Sequence, residues 1–160
     1  MRKMKNLTLI LILLVNIKVF AQNDNFNLKL NDSINLNLVK SEFKLKDKKI
    51  GYSKSFPVTI NDKIIFGTDG DLPKTKLTKA ILKIGNKNIQ LDINGMYNPW
   101  FGNGINKNHI KFKIENDLLK LKILFSDGAG SYLTEWIIFK NSSTRTILSN
   151  EEDIIINQFH

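Results

Sequence analysis

The chain has 160 residues, 42% of them apolar, and no cysteine. That is enough chain to bury one core, and it excludes disulfides, thiol catalysis, cysteine-ligated zinc and a lipid-bearing cysteine. The charge of +9 rests on 22 Lys and only 2 Arg, and Arg is the residue that forks onto phosphates and bases, so nucleic acid is not an expected partner.

The Lys bias, with twenty Asn beside it, reads as the imprint of AT-rich coding, and a lysine-coated surface is the expected result. Residues 1–21, MRKMKNLTLILILLVNIKVFA, have the order of a secretory signal. A basic start (Arg2, Lys3, Lys5) precedes an apolar run from Leu7 to Val15. Val19 and Ala21 then stand at the −3 and −1 places of an A-x-A-like junction. The run is short for a membrane span, which needs about 20 residues. Cleavage after Ala21 is expected, leaving twenty basic and fifteen acidic side chains in a single β-rich domain over 22–160. The expected location is periplasmic or extracellular, with membrane contact only through an uncleaved signal.

From residue 22 apolar side chains alternate: Phe26, Leu28, Leu30, then Ile34, Leu36, Leu38. Period two predicts strands with one wet face, and Asn31-Asp32-Ser33 supplies a turn between them. Lys46 to Lys49 reads as a charged loop. Val58–Ile60 and Ile64–Phe66 are short strand candidates in an otherwise irregular stretch, 51–76. Gly67 to Pro73 is a loop. Its Asp69 and Asp71 have a calcium-loop spacing, but the later ligands are missing, so a solvated turn is the expectation.

Leu77–Ile84 and Lys87–Ile93 flank Gly85-Asn86, a two-residue connection with Gly first, as a type II′ turn requires. Residues 94–109 form the main long loop, rich in Gly and Asn, yet it carries Met96, Tyr97, Trp100 and Phe101. Aromatics in such a loop either plug the end of the core or face a partner. Ile110–Glu115 and Leu118–Phe125 alternate cleanly around an Asn116-Asp117 turn. Their polar places are mostly Lys, which suits a solvent face.

The stretch 118–140, LLKLKILFSDGAGSYLTEWIIFK, is the most apolar after the signal and predicts the central hairpin. Its second arm is apolar on both alternating sets, so both faces should be covered. Glu135 falls among apolar neighbours and needs a partner if buried. After Asn141 a strand over Thr144–Leu148 is expected. Ser149 to Glu152 fits a helix-capping pattern, while Ile154-Ile155-Ile156 favours a strand. The whole predicts an all-β, antiparallel sandwich or barrel-like domain of about eight to ten short strands, with a possible short C-terminal helix.

Catalytic motifs are sparse. The two His match no zinc spacing. Ser126 or Ser131 with His109 and Asp127 lacks a nucleophile elbow. A glycoside hydrolase needs two carboxyl groups at a set separation, which leaves Asp92, Asp127 and Glu135 as the acids to test. No cofactor, metal or catalytic residue is expected. The best reading is an exported, non-catalytic binding or inhibitor module, immunity-like, with a protein or glycan partner in the cell envelope. The candidate contact residues are Tyr97, Trp100, Phe101, Asp127 and Glu135. A carboxylate-dependent envelope hydrolase, a glycan-binding module using the loop aromatics, and a ligand-free structural protein are the alternatives.

Overall fold

The structure, a computed structural model, describes residues 24–99, 107–125 and 128–159. The signal segment, Trp100, Phe101, Ser126 and Asp127 lie outside these residues. The described residues form eleven strands, one 3-10 turn at Lys107–His109 and one helix. Every strand pairing is antiparallel.

Three sheets result. The first has the order β1-β2-β6-β7, from β1 (Asp24–Lys29), β2 (Ile34–Glu42), β6 (Thr75–Ile84) and β7 (Lys87–Gln90). The second has the order β11-β10-β9-β8, from β8 (Ile110–Glu115), β9 (Leu118–Phe125), β10 (Tyr132–Phe139) and β11 (Ser142–Ser149). The third is small: β3 (Ile50–Ser53), β4 (Phe56–Ile60) and β5 (Lys63–Ile64).

The alternation read from the sequence sets the burial. Ile34, Leu36 and Leu38 of β2 and Leu119, Leu121, Ile123 and Phe125 of β9 are all buried, and their neighbours face outward. Both sets join Leu82, Tyr132, Trp136 and Ile138 in one cluster, so the two four-stranded sheets feed a single core. Each fully buried aliphatic side chain stabilises the fold by about 1.5–3 kcal/mol relative to exposure. A second, smaller cluster of Phe43, Ile60 and Ile65 sits under the third sheet.

Turn chemistry fixes the registers. Asn31 Oδ1 accepts from the backbone N–H of Ser33 and Ile34 at 2.9 and 2.8 Å, an Asx turn that ends β1. Asn61-Asp62 and Asn116-Asp117 both have positive φ at each residue, the signature of type I′ hairpins. At the β6–β7 turn only Gly85 is left-handed, with φ 56°, as the type II′ reading required. The β9–β10 hairpin pairs eight residues on each arm and supplies the two inner strands of its sheet.

Several local readings change: β5 ends at Ile64 rather than Phe66, and β7 at Gln90 rather than Ile93. The stretch before Val58 holds β3, which the sequence disguised: Ile-Gly-Tyr-Ser has no clean alternation, and its pairing with β4 is irregular between Gly51 and Tyr52. The strand after Asn141 starts at Ser142 rather than Thr144. The ambiguous C-terminus is a helix, α1 (Glu152–Phe159). Ser149 Oγ accepts from the Glu151 N–H at 3.1 Å, and Glu152 and Asp153 occupy the first turn, where negative charge favours a helix. At its far end Lys122 Nζ donates to the Gln158 carbonyl at 3.1 Å and Lys111 Nζ to the Phe159 carbonyl. These contacts and the buried Phe159 outweigh the weak helix preference of three consecutive Ile.

Helix α1 packs on the outward face of β9 and β10. Leu133, which points to that face, is fully buried. The strand is therefore covered on both sides at this end, as its two apolar sets implied.

Candidate functional site

The described part of the loop after β7 is a plug. Residues 94–98 thread between Phe66 and the start of β6. Phe66 N–H donates to Gly95 O (2.9 Å), Tyr97 N–H to Phe66 O (3.0 Å) and Leu77 N–H to Met96 O (3.2 Å). Asn98 has a φ of 38°, and its Oδ1 accepts from the N–H groups of Lys74 and Thr75 at 2.9 and 3.0 Å. Met96 is buried in the main core. Tyr97 is half-buried and meets Phe43 edge-on, with ring centroids 5.1 Å apart. That burial raises its phenol above the ordinary tyrosine value. Tyr97 thus serves the second core, while Trp100 and Phe101 lie outside the described residues.

Glu135 finds its partners inside the chain. It is a cross-strand neighbour of Lys122, and Oε2 stands 3.3 Å from Nζ. A bulge in β11 sets Thr146 beside it, and the Thr146 hydroxyl donates to Oε1 at 2.6 Å. Lys122 in turn donates to the Gln158 side chain at 3.0 Å. The chain of contacts ties β11, β10, β9 and α1 together.

Asp92 is held on the other side of the same sheet. Its Oδ2 pairs with Arg145 Nη2 at 3.1 Å, and its Oδ1 accepts from Asn94 N–H and Asn94 Nδ2 at 3.0 and 2.7 Å. Trp136 Nε1 donates to the Asp92 carbonyl at 2.9 Å. Trp136 and Glu135 are consecutive in β10 and so point to opposite faces. The sheet itself stands between the Asp92 and Glu135 carboxylates, and the fold does not bring them together. Asp127, the third acid, and Ser126 lie outside the described residues. Ser131 Oγ donates to the Gly128 carbonyl at 2.6 Å and His109 closes the 3-10 turn. Among the described residues no group of three or more His, Asp or Glu side chains is placed to hold a metal.

Exposed apolar side chains cluster elsewhere. Phe56 and Ile64, on the third sheet, are 55% and 65% exposed, and Val58 is exposed beside them. With Phe66, Thr68, Asp69 and Asn150 they line a surface groove of about 400 Å³. Phe56 and Val58 flank the buried Pro57 and so share the outward face of β4, and Val58 is the extra residue where the β3–β4 pairing shifts. Gly70, at φ 78°, lets the 67–73 loop approach. A side chain there would come within 2.9 Å of the Phe56 ring. The sequence did show Val58 and Ile64 as strand residues. What it could not show is that a three-stranded sheet with a two-residue edge strand leaves them uncovered.

No family model, curated protein or solved structure matches the chain.

Proposed function

We propose that the chain is an exported, non-catalytic binding module that captures a protein in the cell envelope. In this reading the two four-stranded sheets close as a β-sandwich, and the shared core supports that closure. The observation that carries the function is the groove on the third sheet. Phe56, Val58 and Ile64 are exposed apolar side chains in a groove that Thr68, Asp69 and Asn150 also line, and such a mixture of apolar and polar groups suits protein recognition. The signal pattern of residues 1–21 supplies the address. The carboxylates give the hydrolase reading little support, because Asp92 and Glu135 are each held by a basic partner.

The test uses the secreted protein. N-terminal sequencing should find Gln22 first; a cytoplasmic, full-length product would remove the envelope from the proposal. A prey recovered from the native culture and then purified should bind the wild-type domain. F56S/I64S should bind it at least tenfold more weakly, about 1.4 kcal/mol, with an unchanged melting temperature. Equal binding by the variant would move the site away from this groove.

A further inference from the structure

The outer face of the first sheet carries a feature that the composition does not account for. The strands of the described chain contain five Asn, namely Asn25, Asn27, Asn35, Asn37 and Asn88, and all five are in this sheet. Asn35 and Asn37 alternate with the buried Ile34, Leu36 and Leu38, so they point outward. Asn25 and Asn27 share the face of Asn37 through the β1–β2 register, and Asn88 pairs with the outward Lys83. The four strands of the second sheet have nearly the same combined length and hold no Asn. The outward places of β8 and β9 are mostly Lys. A coding bias would spread Asn over both sheets. Asn is also disfavoured in strands, so a merely wet face has no use for five of them.

The register orders these groups into rows. Lys29 pairs with Asn35, Asn35 with Lys83, and Lys83 with Asn88. One line across all four strands therefore reads ammonium, carboxamide, ammonium, carboxamide. The next line reads Asn27, Asn37, Ile81, Gln90. Asn37 Nδ2 donates to Asn25 Oδ1 and Asn27 Oδ1 at 2.6 and 2.7 Å, which fixes the amide plane. No Asp or Glu occupies an outward strand position in either row. Lys29 does share an ion pair with Asp32, but both groups are exposed, and such pairs contribute little.

We propose that this face binds an acidic polysaccharide, a polymer bearing both hydroxyl and carboxylate groups. A carboxamide both donates and accepts, so it can hold a pair of sugar hydroxyls, while an ammonium holds a carboxylate. The two Lys of the first row lie on strands two spacings apart, about 10 Å between backbones, roughly the reach of a disaccharide. An open sheet face offers many weak, repeated contacts, and a repeating polymer engages several at once. The site is on a different sheet from the apolar groove and does not depend on it.

The experiment measures binding of the domain of residues 22–160 to polygalacturonate, to dextran and to polyglutamate. Polygalacturonate should bind at least tenfold more tightly than the other two. N35A/N37A and K83A should each weaken it about tenfold, a loss of about 1.4 kcal/mol, with melting temperatures unchanged. K113A/K120A, on the outer face of the second sheet, should bind as the wild type does. Equal binding of polyglutamate would reduce the effect to charge alone and overturn the proposal. Equal binding of dextran would overturn the acidic assignment. Silent Asn substitutions, or sedimentation showing two copies joined through this face, would overturn the site.

Discussion

The indole N–H of Trp136 donates to the backbone carbonyl of Asp92 across 2.9 Å. Trp136 belongs to β10 of the second sheet, and Asp92 follows β7 of the first. A fully buried aromatic thus ties one sheet to the other by a directed bond as well as by packing. Arg145 reinforces the junction, with its Nη1 on the Asn94 carbonyl at 2.6 Å and its Nη2 on the Asp92 carboxylate.

Trp136→Phe keeps much of the apolar volume but removes the donor. The Asp92 carbonyl is then left with the longer Arg145 contact, 3.5 Å. The expected loss is about 2–3 kcal/mol, from the broken bond and the partly vacated space. Urea unfolding measures it. A change below about 0.5 kcal/mol, within the range of ordinary surface substitutions, would show that the bond does not couple the sheets.

Glu135→Ala should destabilise the domain by about 2 kcal/mol, since it leaves a half-buried Lys122 with only its bonds to Gln158 and removes the acceptor of the Thr146 hydroxyl. The expected coupling in a double-mutant cycle with Lys122→Ala is about 1–2 kcal/mol. Additive effects would mean that the two side chains act separately, and that the contact on Gln158 carries the role of Lys122.

Tyr97 gives the fold an alkaline limit. An unfolded phenol titrates near 10.0, and burial places the folded value above it. Between those two values the unfolded chain holds fewer protons than the folded chain, so stability falls as pH rises. The contribution is fully present below pH 10 and is lost as pH climbs through the folded value. Tyr97→Phe should therefore flatten the fall in urea midpoint as pH rises above 10.0. An identical slope in the variant would assign that limb to the lysines or to the other tyrosines.

Much of the fold was legible because strands advertise themselves with a period of two. The alternation in Leu118–Phe125 and Ile34–Leu38 gave both the strands and their inward faces. Asn116-Asp117 and Gly85-Asn86 gave the hairpins. Tyr132–Phe139 announced a strand covered on both sides. The candidate site was far less legible. Tyr97 and Glu135 looked like contact residues because an aromatic in a loop and an acid among apolar neighbours are unusual. The same two features also describe a core plug and a buried ion pair, and only the partners, Phe43 for one and Lys122 with Thr146 for the other, distinguish them.

By itself the sequence determined a cysteine-free, β-rich chain with a signal-like start, its hairpin turns and most of its inward side chains. All of these depend on residues close together along the chain. The tertiary structure decided which strands share a sheet, that the C-terminus is a helix gripped by Lys111 and Lys122, and which surfaces remain open. Those outcomes depend on contacts between residues far apart in sequence, such as Lys122 with Gln158 or Trp136 with Asp92. For the same reason, the ordering of scattered Asn and Lys into rows across four strands becomes visible only once the register is set.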